Sequence, residues 1–449
     1  MTKPFLKVLR EDEARDLLKV FGPLDTESAA LDDALFRVLA RRVQAPEDIP
    51  SFNRSTMDGF AVRAADTFGA TESSPALFEV SGEIRMGEIP DFKLGKGLAV
   101  RIWTGGALPS EADAVVMVEH TQELDERTIE VFKSVAPFEN TVRKGEDFKS
   151  GEVLLGPGRR LRPHDLGLFA AMGLQSVTVH RSPVVSIMSS GDEIVPIDME
   201  PPPGCVRDIN RHTLHGLTIE AHAIPRWIGI APDRLRDLSA MMDEGLAGGD
   251  VLVISGGSSM GSRDLVIEAI KSANDSEILL HGVSISPGKP LILARVGTKA
   301  VFGLPGHPVS AMVCFEQFVV PLIRRLGGEG EQLPFPRPRV QAALSRNLPS
   351  REGRTDYVRV KLDKNGDRLT AVPITAKSGV ISAMVRAHGW IRIEASCEGL
   401  YRGDLVTVHL SSHWIGGPIE KEYLSGHEIS RGCLGDFHEA RGPERLSRS

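Results

Sequence analysis

Cysteine is scarce and never clustered in this sequence: Cys205, Cys314, Cys397 and Cys433 lie far apart. None stands at the spacing of a metal site, and a disulfide-stapled secreted protein would carry more of them. Reduced thiols in a cytoplasmic protein are the expectation. Long apolar runs are missing too. AVVMV and FVVPLI are far shorter than the roughly 20 residues that span a bilayer. MTKPFLKVLREDEARDLL puts charges where a signal peptide needs an apolar centre, so neither a membrane role nor a leader is expected. Positive charge is not in excess. The formal net charge is −7 with both signs interspersed, which disfavours a nucleic-acid partner. The chain also lacks HxxxH-type histidine pairing, a GxSxG elbow and a GxxxxGK[ST] loop. A transition-metal site, a serine hydrolase and a P-loop enzyme are disfavoured accordingly.

What is present is globular material in quantity, and 449 residues exceed one ordinary core, so several domains are expected. Residues 5 to 42 read as helical from REDEARDLLKVF and AALDDALFRVLARRV. From Pro46 to about Lys144 short β-like runs such as ALFEVSG, LAVRIWTGG and DAVVMVEH are split by turns, which suggests an all-β insertion. Helical texture resumes at RPHDLGLFAAMGL, with Pro163 suited to a first turn and Gly173 to a stop. Between Ser182 and Leu326, strand and helix patterns alternate as in a parallel sheet covered on both faces. GGEGEQLPFPRPRV reads as a linker; five short strands after it suggest a small barrel or sandwich, and the stretch from about Ser411 a loosely ordered tail.

The run DVLVISGGSSMGSRD raises the functional question. In an open parallel sheet, ligands sit beyond the carboxyl ends of the strands, where helix N-termini point unpaired amides. Ser255, Gly256, Gly257, Ser258, Ser259 and Gly261 form a turn there, open enough for backbone amides to approach a phosphate or oxyanion. A sharp reversal alone also uses such residues. VVSIM ends in SSGDEIV, which adds Asp192 and Glu193, and AVFGL ends in PGHPVS, with Pro305, Gly306 and Pro308. ISPGKPL contributes Pro287, Gly288 and Lys289, whose ammonium can meet a phosphate. Glu193, Asp250 and Asp264 at strand ends suit Mg²⁺, although Asp264 serves equally as a helix cap. In VRDINRHTL, Arg207, Asp208, Asn210 and Arg211 have the same double reading. SFNRSTMDGFAVRAADT holds Asp58 in a polar loop, either a binding loop or an Ω-loop, and Thr104, Lys144 and Asp147 occupy other glycine-containing loops.

Taken in order, STMDGFAV, RIWTGGALPSEADAVV, VRKGEDF, LRPHDLGLFAAMGL, SSGDEIV, RDINRHTL, DVLVISGGSSMGSRD, SPGKPL, FGLPGHPVSAMVCFEQFV and GRTDYVRV resemble one family, from about residue 5 to 410. It is that of the molybdopterin molybdenumtransferases of molybdenum cofactor synthesis, which include the E domain of gephyrin. The resemblance implies a multidomain α/β chain. A helical linker domain (1–45 and 146–180) would carry an inserted β lid (46–145), followed by a mostly parallel molybdopterin-binding domain (181–328), a small C-terminal β-barrel (329–411) and a tail (412–449). It implies an elongated homodimer in which Asp58, Thr104 and Asp147 of one subunit complete a site built on Glu193, Asp250 and the Ser255 to Gly261 loop of the other. It further implies that adenylylated molybdopterin and molybdate are substrates and that Mg²⁺ assists release of AMP. Glu193 and Asp264 would hold the metal, and Arg207, Arg211, Ser259 and Lys289 the molybdate. A molybdopterin adenylyltransferase would supply the substrate, and molybdoenzymes or their chaperones would accept the product. Ser286, Ser258 and His307 depart from residues usual in the family. A paralogue using tungstate, a non-catalytic molybdopterin-binding protein and an adenylyltransferase are the alternative expectations.

Overall fold

In a computed structural model the chain is described at residues 8–256, 260–330, 338–365, 368–375 and 377–411. It divides into two compact units, residues to Pro336 with Ser378–Ile381, and Arg337–Lys377 with the residues from Ser382 onward.

The region expected to be helical before residue 45 is mostly not. A helix spans Glu11–Asp16 and a 3-10 turn Leu17–Val20, but Thr26–Ala30 is a strand paired antiparallel with Ser176–His180. AALDDALFRVLARRV therefore corrects the reading taken from its periodicity. Its backbone bonds go to distant partners: Leu31 N–H to the Gln175 carbonyl, Phe36 to Leu161, Leu39 to Arg159 and Ala40 to Thr178. Phe36 takes a φ of +61°, which no helix accommodates. A weak helical preference yields to sheet pairing that also buries Ala29, Leu39 and Val179 in one cluster. The second expected helix is present at Pro163–Ala171, with proline in its first turn and Gly173 at φ +69° beyond its end. Asp165 accepts the Arg162 N–H there. Burial would raise this carboxyl, but hydrogen bonds from Arg159 and Arg162 hold it down at about 2.

Within 46–145 lies a six-stranded sheet. Its order is Ala114–Met117, Gly59–Val62, Leu98–Ile102, Ala76–Ile84, Thr128–Val131 and Thr121–Glu123, antiparallel except between Leu98–Ile102 and Ala76–Ile84. Phe60, Phe78, Ile129 and Val131 fill one side. Gly59 is obligatory at its place, because a Cβ would lie 2.0 Å from the Val116 carbonyl oxygen of the adjacent strand.

The next sheet runs Ile224–Ala231, Val184–Ser190, Val251–Gly256, Lys299–Leu304, Ile292–Val296, Ser276–His281. The first four strands are parallel, Ile292–Val296 runs against them and Ser276–His281 runs with them again, so PLILARV and AVFGL form a hairpin instead of a further crossover. Only the two residues Gly297 and Thr298 separate them, too few for a crossover helix. Met188, Leu252 and Ile254 pack on Met242, Val266 and Ile270 of the helices Leu235–Gly248 and Met260–Ser272. The last helical stretch, Pro308–Cys314 and Val320–Leu326, is interrupted by a π turn at Phe315–Val319. Pro321 has no N–H to offer the preceding turn, which accounts for the widening.

In the second unit the strands run in the order Thr355–Asn365, Arg368–Pro373, Arg339–Leu344, Leu405–Leu410 and Gly389–Ile393, and the last pairs back with the first. The closed barrel encloses Leu344, Val360, Leu362, Ile391 and Val408. The tail from residue 412 and part of the linker, 331–337, lie outside the described residues.

Candidate functional site

Strand order reverses between Val184–Ser190 and Val251–Gly256: the chain moves outward to Ile224–Ala231 from the first and to the other side with the second. A crevice opens at the carboxyl ends of such a pair. Val251–Gly256 is buried up to Ser255 and ends at Gly256 with φ +146°. A Cβ there would sit 2.1 Å from the Ser190 carbonyl oxygen, so only glycine lets the two strand ends lie side by side.

Asn210 ties this edge together. Its Nδ2 donates to Ser255 Oγ at 2.7 Å and to the Gly306 carbonyl at 2.8 Å. Asn210 thus joins three loops, while the cap of its helix comes from Asp208, whose Oδ1 accepts the Arg211 N–H at 3.0 Å. Buried polar atoms without a hydrogen-bond partner among the described residues include Ser189 Oγ and Ser190 Oγ at the end of Val184–Ser190, and Asp208 Oδ2 and Asn210 Oδ1 at the start of the helix Asn210–Glu220. An unpaired buried polar group costs about 1–3 kcal/mol, so these atoms, close to the Ser255 and Gly306 loops that Asn210 joins, are candidates for bonding to a ligand.

Acidic groups follow. Asp192 and Glu193 leave the end of Val184–Ser190, and Asp233 leaves the end of the adjacent Ile224–Ala231 strand, where Ser190 pairs with Ala231. The Asp233 N–H donates to Asp192 Oδ1 at 3.1 Å. Burial, then the negative charges of Asp192 and Glu193, push the Asp233 carboxyl upward. Sequence reading missed Asp233, because PDRLRDLSAMMDEGL reads simply as a helix; the available signal was its place two residues beyond a strand of the parallel sheet. Among the described residues no three acidic, histidine or cysteine side chains form a ready ion cage. The set suits a hard cation only with further oxygens from a ligand.

Pro305, Gly306 and Pro308 lie at the end of Lys299–Leu304, with Pro308 in the first turn of its helix as expected. Gly288 is buried, its carbonyl accepts Cys314 Sγ at 3.2 Å, and Lys289 beside it is exposed without an ion pair among the described residues. Arg207 Nε donates to the Ile197 carbonyl at 3.1 Å, and the Arg211 guanidinium lies over the Trp227 ring, 4.8 Å from its centroid. Gly257, Ser258 and Ser259 lie outside the described residues; Gly261 and Asp264 belong to the helix Met260–Ser272, and the Asp264 side chain lies outside them as well.

Asp250 does not join the site. It precedes Val251, at the amino end of the strand whose carboxyl end is Gly256, and six residues of strand put the two about 20 Å apart. There it forms a bidentate pair with Arg181 at 2.7 and 2.9 Å and accepts the Val184 N–H at 2.8 Å. Its role is to fix the start of the sheet.

In the six-stranded sheet of residues 46–145, antiparallel pairing of Gly59 with Ile102 brings Asp58 to Thr104. Asp58 Oδ1 accepts the Thr104 N–H at 2.8 Å and its Oγ1 at 2.7 Å, and these bonds lower its pKa. Asp147 is exposed, its N–H donating to the Ile49 carbonyl. No hydrogen bond among the described residues links Asp58, Thr104 or Asp147 to Asn210, Ser255 or Gly306.

Comparison with known proteins agrees with this architecture. Residues 9–173 match the MoeA N-terminal region (domain I and II), 186–325 a probable molybdopterin binding domain, and 341–411 the MoeA C-terminal region (domain IV). The chain is 34% identical over 391 residues to a molybdopterin molybdenumtransferase of Bacillus subtilis, covering 86% of this chain and 90% of that one. It is 35% identical over 388 residues to a putative molybdopterin biosynthesis protein of Methanocaldococcus jannaschii, covering 84% and 90%. A crystal structure of a molybdopterin biosynthesis MoeA protein from Pyrococcus horikoshii superimposes with a TM-score of 0.75 at 36% identity, over 90% of this chain and 99% of that one. Ten ordered motifs, a crevice at the strand-order reversal and matches spanning nearly the whole described chain lead to one assignment: the chain belongs to the MoeA family of molybdopterin molybdenumtransferases.

Proposed function

We propose that this chain inserts molybdate into adenylylated molybdopterin and releases AMP in molybdenum cofactor biosynthesis. The observation that carries the reading is the Asn210 bridge between the Ser255 and Gly306 loops, with unpartnered buried atoms at Ser189, Ser190, Asp208 and Asn210 itself. The dithiolene sulfurs take the molybdenum, oxide leaves as water, and a second water cleaves the phosphoanhydride so that AMP departs. Asn210 holds the Ser255 and Gly306 loops at one spacing, so that phosphates meet amides already in place. Lys289, exposed and without an ion pair among the described residues, is the group best suited to the incoming oxyanion. Glu193 with Asp264, joined by Asp233, would hold Mg²⁺, which supplies charge neutralisation to the anhydride oxygens. The raised Asp233 carboxyl, with only like charges as its electrostatic neighbours, supports a cation there.

The lid pair Asp58 and Thr104, with Asp147, completes the site from a second subunit of a homodimer. A molybdopterin adenylyltransferase supplies the substrate, and molybdoenzymes or their chaperones receive the product. The site is read as cytoplasmic. The test supplies the full chain with adenylylated molybdopterin, Mg²⁺ and either molybdate or tungstate, and follows AMP. Release with molybdate, lowered about 100-fold in Glu193→Ala and Asn210→Ala, is expected. Parental turnover in both variants overturns the site, and faster release with tungstate moves the reading to a tungstate paralogue.

A further inference from the structure

Lys289 is exposed, yet the peptide groups on both sides of its Cα are held. The carbonyl before it, that of Gly288, accepts the Cys314 thiol at 3.2 Å, and its own carbonyl accepts the Val283 N–H at 2.9 Å. Val283 is gripped in turn from its other edge. Leu9 forms a parallel bridge with it: the Leu9 N–H donates to the Gly282 carbonyl at 3.2 Å and the Ser284 N–H to the Leu9 carbonyl at 2.8 Å. The segment that carries Leu9 is anchored along the helical stretch that supplies Cys314. Arg15, paired with buried Glu11 at 2.7 Å, donates to Gln317 Oε1 at 2.8 Å, Arg325 Nε donates to the Phe21 carbonyl at 2.7 Å, and the Leu24 N–H donates to the Leu326 carbonyl at 2.8 Å. Val283 and Cys314 are fully buried. A thiol is a weak donor, but burial pushes that of Cys314 above the ordinary thiol range, so it keeps its proton, and dry surroundings strengthen its bond.

We propose that the Cys314 thiol and the Leu9 backbone are positioning groups for Lys289, fixing the point from which its ammonium reaches the incoming oxyanion. The assignment rests on the reading of Lys289 above. A lysine side chain has four rotatable carbons and loses that freedom when it meets an anion. A backbone already immobile before and after its Cα removes part of the ordering cost, so affinity rises without any new contact to the ligand. The two grips are independent in sequence and chemistry, one a side chain from the helix Pro308–Cys314 and the other a main-chain bridge from the start of the described chain. Neither touches the substrate. Each therefore acts on oxyanion affinity and leaves the chemical step alone.

The test measures molybdate affinity of the full chain by calorimetry, and KM for molybdate and kcat from AMP release. Cys314→Ala removes the donor and Leu9→Pro removes one bond of the bridge; each should raise Kd and KM for molybdate about 3- to 10-fold, with kcat within about twofold of the parent. Cys314→Ser restores a donor and Leu9→Ala keeps both backbone bonds, so both should stay near the parent. Leu9→Pro should also speed hydrogen exchange at the Ser284 amide. Lys289→Gln is the benchmark and should raise KM about 10-fold or more. Parental molybdate affinity in Cys314→Ala and Leu9→Pro, with Lys289→Gln impaired, overturns the positioning role alone. A loss of kcat or of melting temperature in these two variants at unchanged molybdate affinity also overturns it, by showing a purely structural role. Parental affinity in Lys289→Gln sinks instead the reading of Lys289 as the oxyanion group, and this proposal with it.

Discussion

Two aspartates at opposite ends of the same sheet illustrate what position does to one side chain. Asp250 is paired with Arg181 and a backbone N–H, and Asp233 is crowded by Asp192 and Glu193. Removing the first should harm the fold and spare the chemistry: Asp250→Ala is expected to cost about 1–2 kcal/mol, with Arg181 partly solvated, and to leave turnover per folded molecule unchanged. Asp233→Asn should do the reverse, raising the neutral-pH melting temperature by about 1 °C while AMP release collapses; thermal melts beside the activity assay separate the two. His222 offers a pH test. Burial, then the charges of Arg160 and Arg324, lower it from 6.5 to about 4. A depressed histidine stabilises the fold above its unfolded pKa, and that contribution disappears as pH falls from about 6.5 to about 4. His222→Asn, which tolerates the φ of +59° at that position, should flatten the decline in melting temperature across this window. Sequence alone put Glu193 and the Ser255–Gly256 turn at strand ends, where the structure has them, because strand ends show in the pattern; the bond of Asn210 to Ser255 had no such signal. It misplaced Asp250 because DVLVIS does not declare which end of the strand faces the ligand until direction in the sheet is known.

At the scale of elements, the barrel strands were legible, whereas the strand Thr26–Ala30 was hidden in a stretch read as helical. The alternation in GWIRIEA and DLVTVHL follows the in-and-out burial of the barrel strands. AALDDALFRVLARRV misled because its partners, Leu161 and Gln175 among them, lie more than 100 residues away, beyond any local periodicity. The strand Gly59–Val62 carries a sharper constraint. Gly59→Ala would press a methyl group into the Val116 carbonyl, costing about 1–3 kcal/mol and displacing the neighbouring Asp58 from Thr104. Faster hydrogen exchange at the Phe60 and Val116 amides, with reduced turnover, is the expected outcome; exchange like the parent would show that the sheet absorbs the methyl.

At the scale of the whole molecule, two units with separate cores explain why one resemblance extends from the N-terminal region to the barrel while local patterns change character several times. Sequence texture separates the barrel from what precedes it, but it left the sheet order open, since hydrogen-bond closure has no signature in composition. The barrel's order bears on synthesis. Leu405–Leu410, the last of the described strands to leave the ribosome, sits between Arg339–Leu344 and Gly389–Ile393. A chain stopped at residue 404 would thus expose two unpaired strand edges and is expected to sediment as aggregate in a pelleting assay. A frameshift or stop codon anywhere upstream of Leu405 is therefore equivalent in its effect on this unit: however much of the barrel has been translated, the ring cannot shut, and quality-control proteases would meet an open ribbon instead of a finished cylinder.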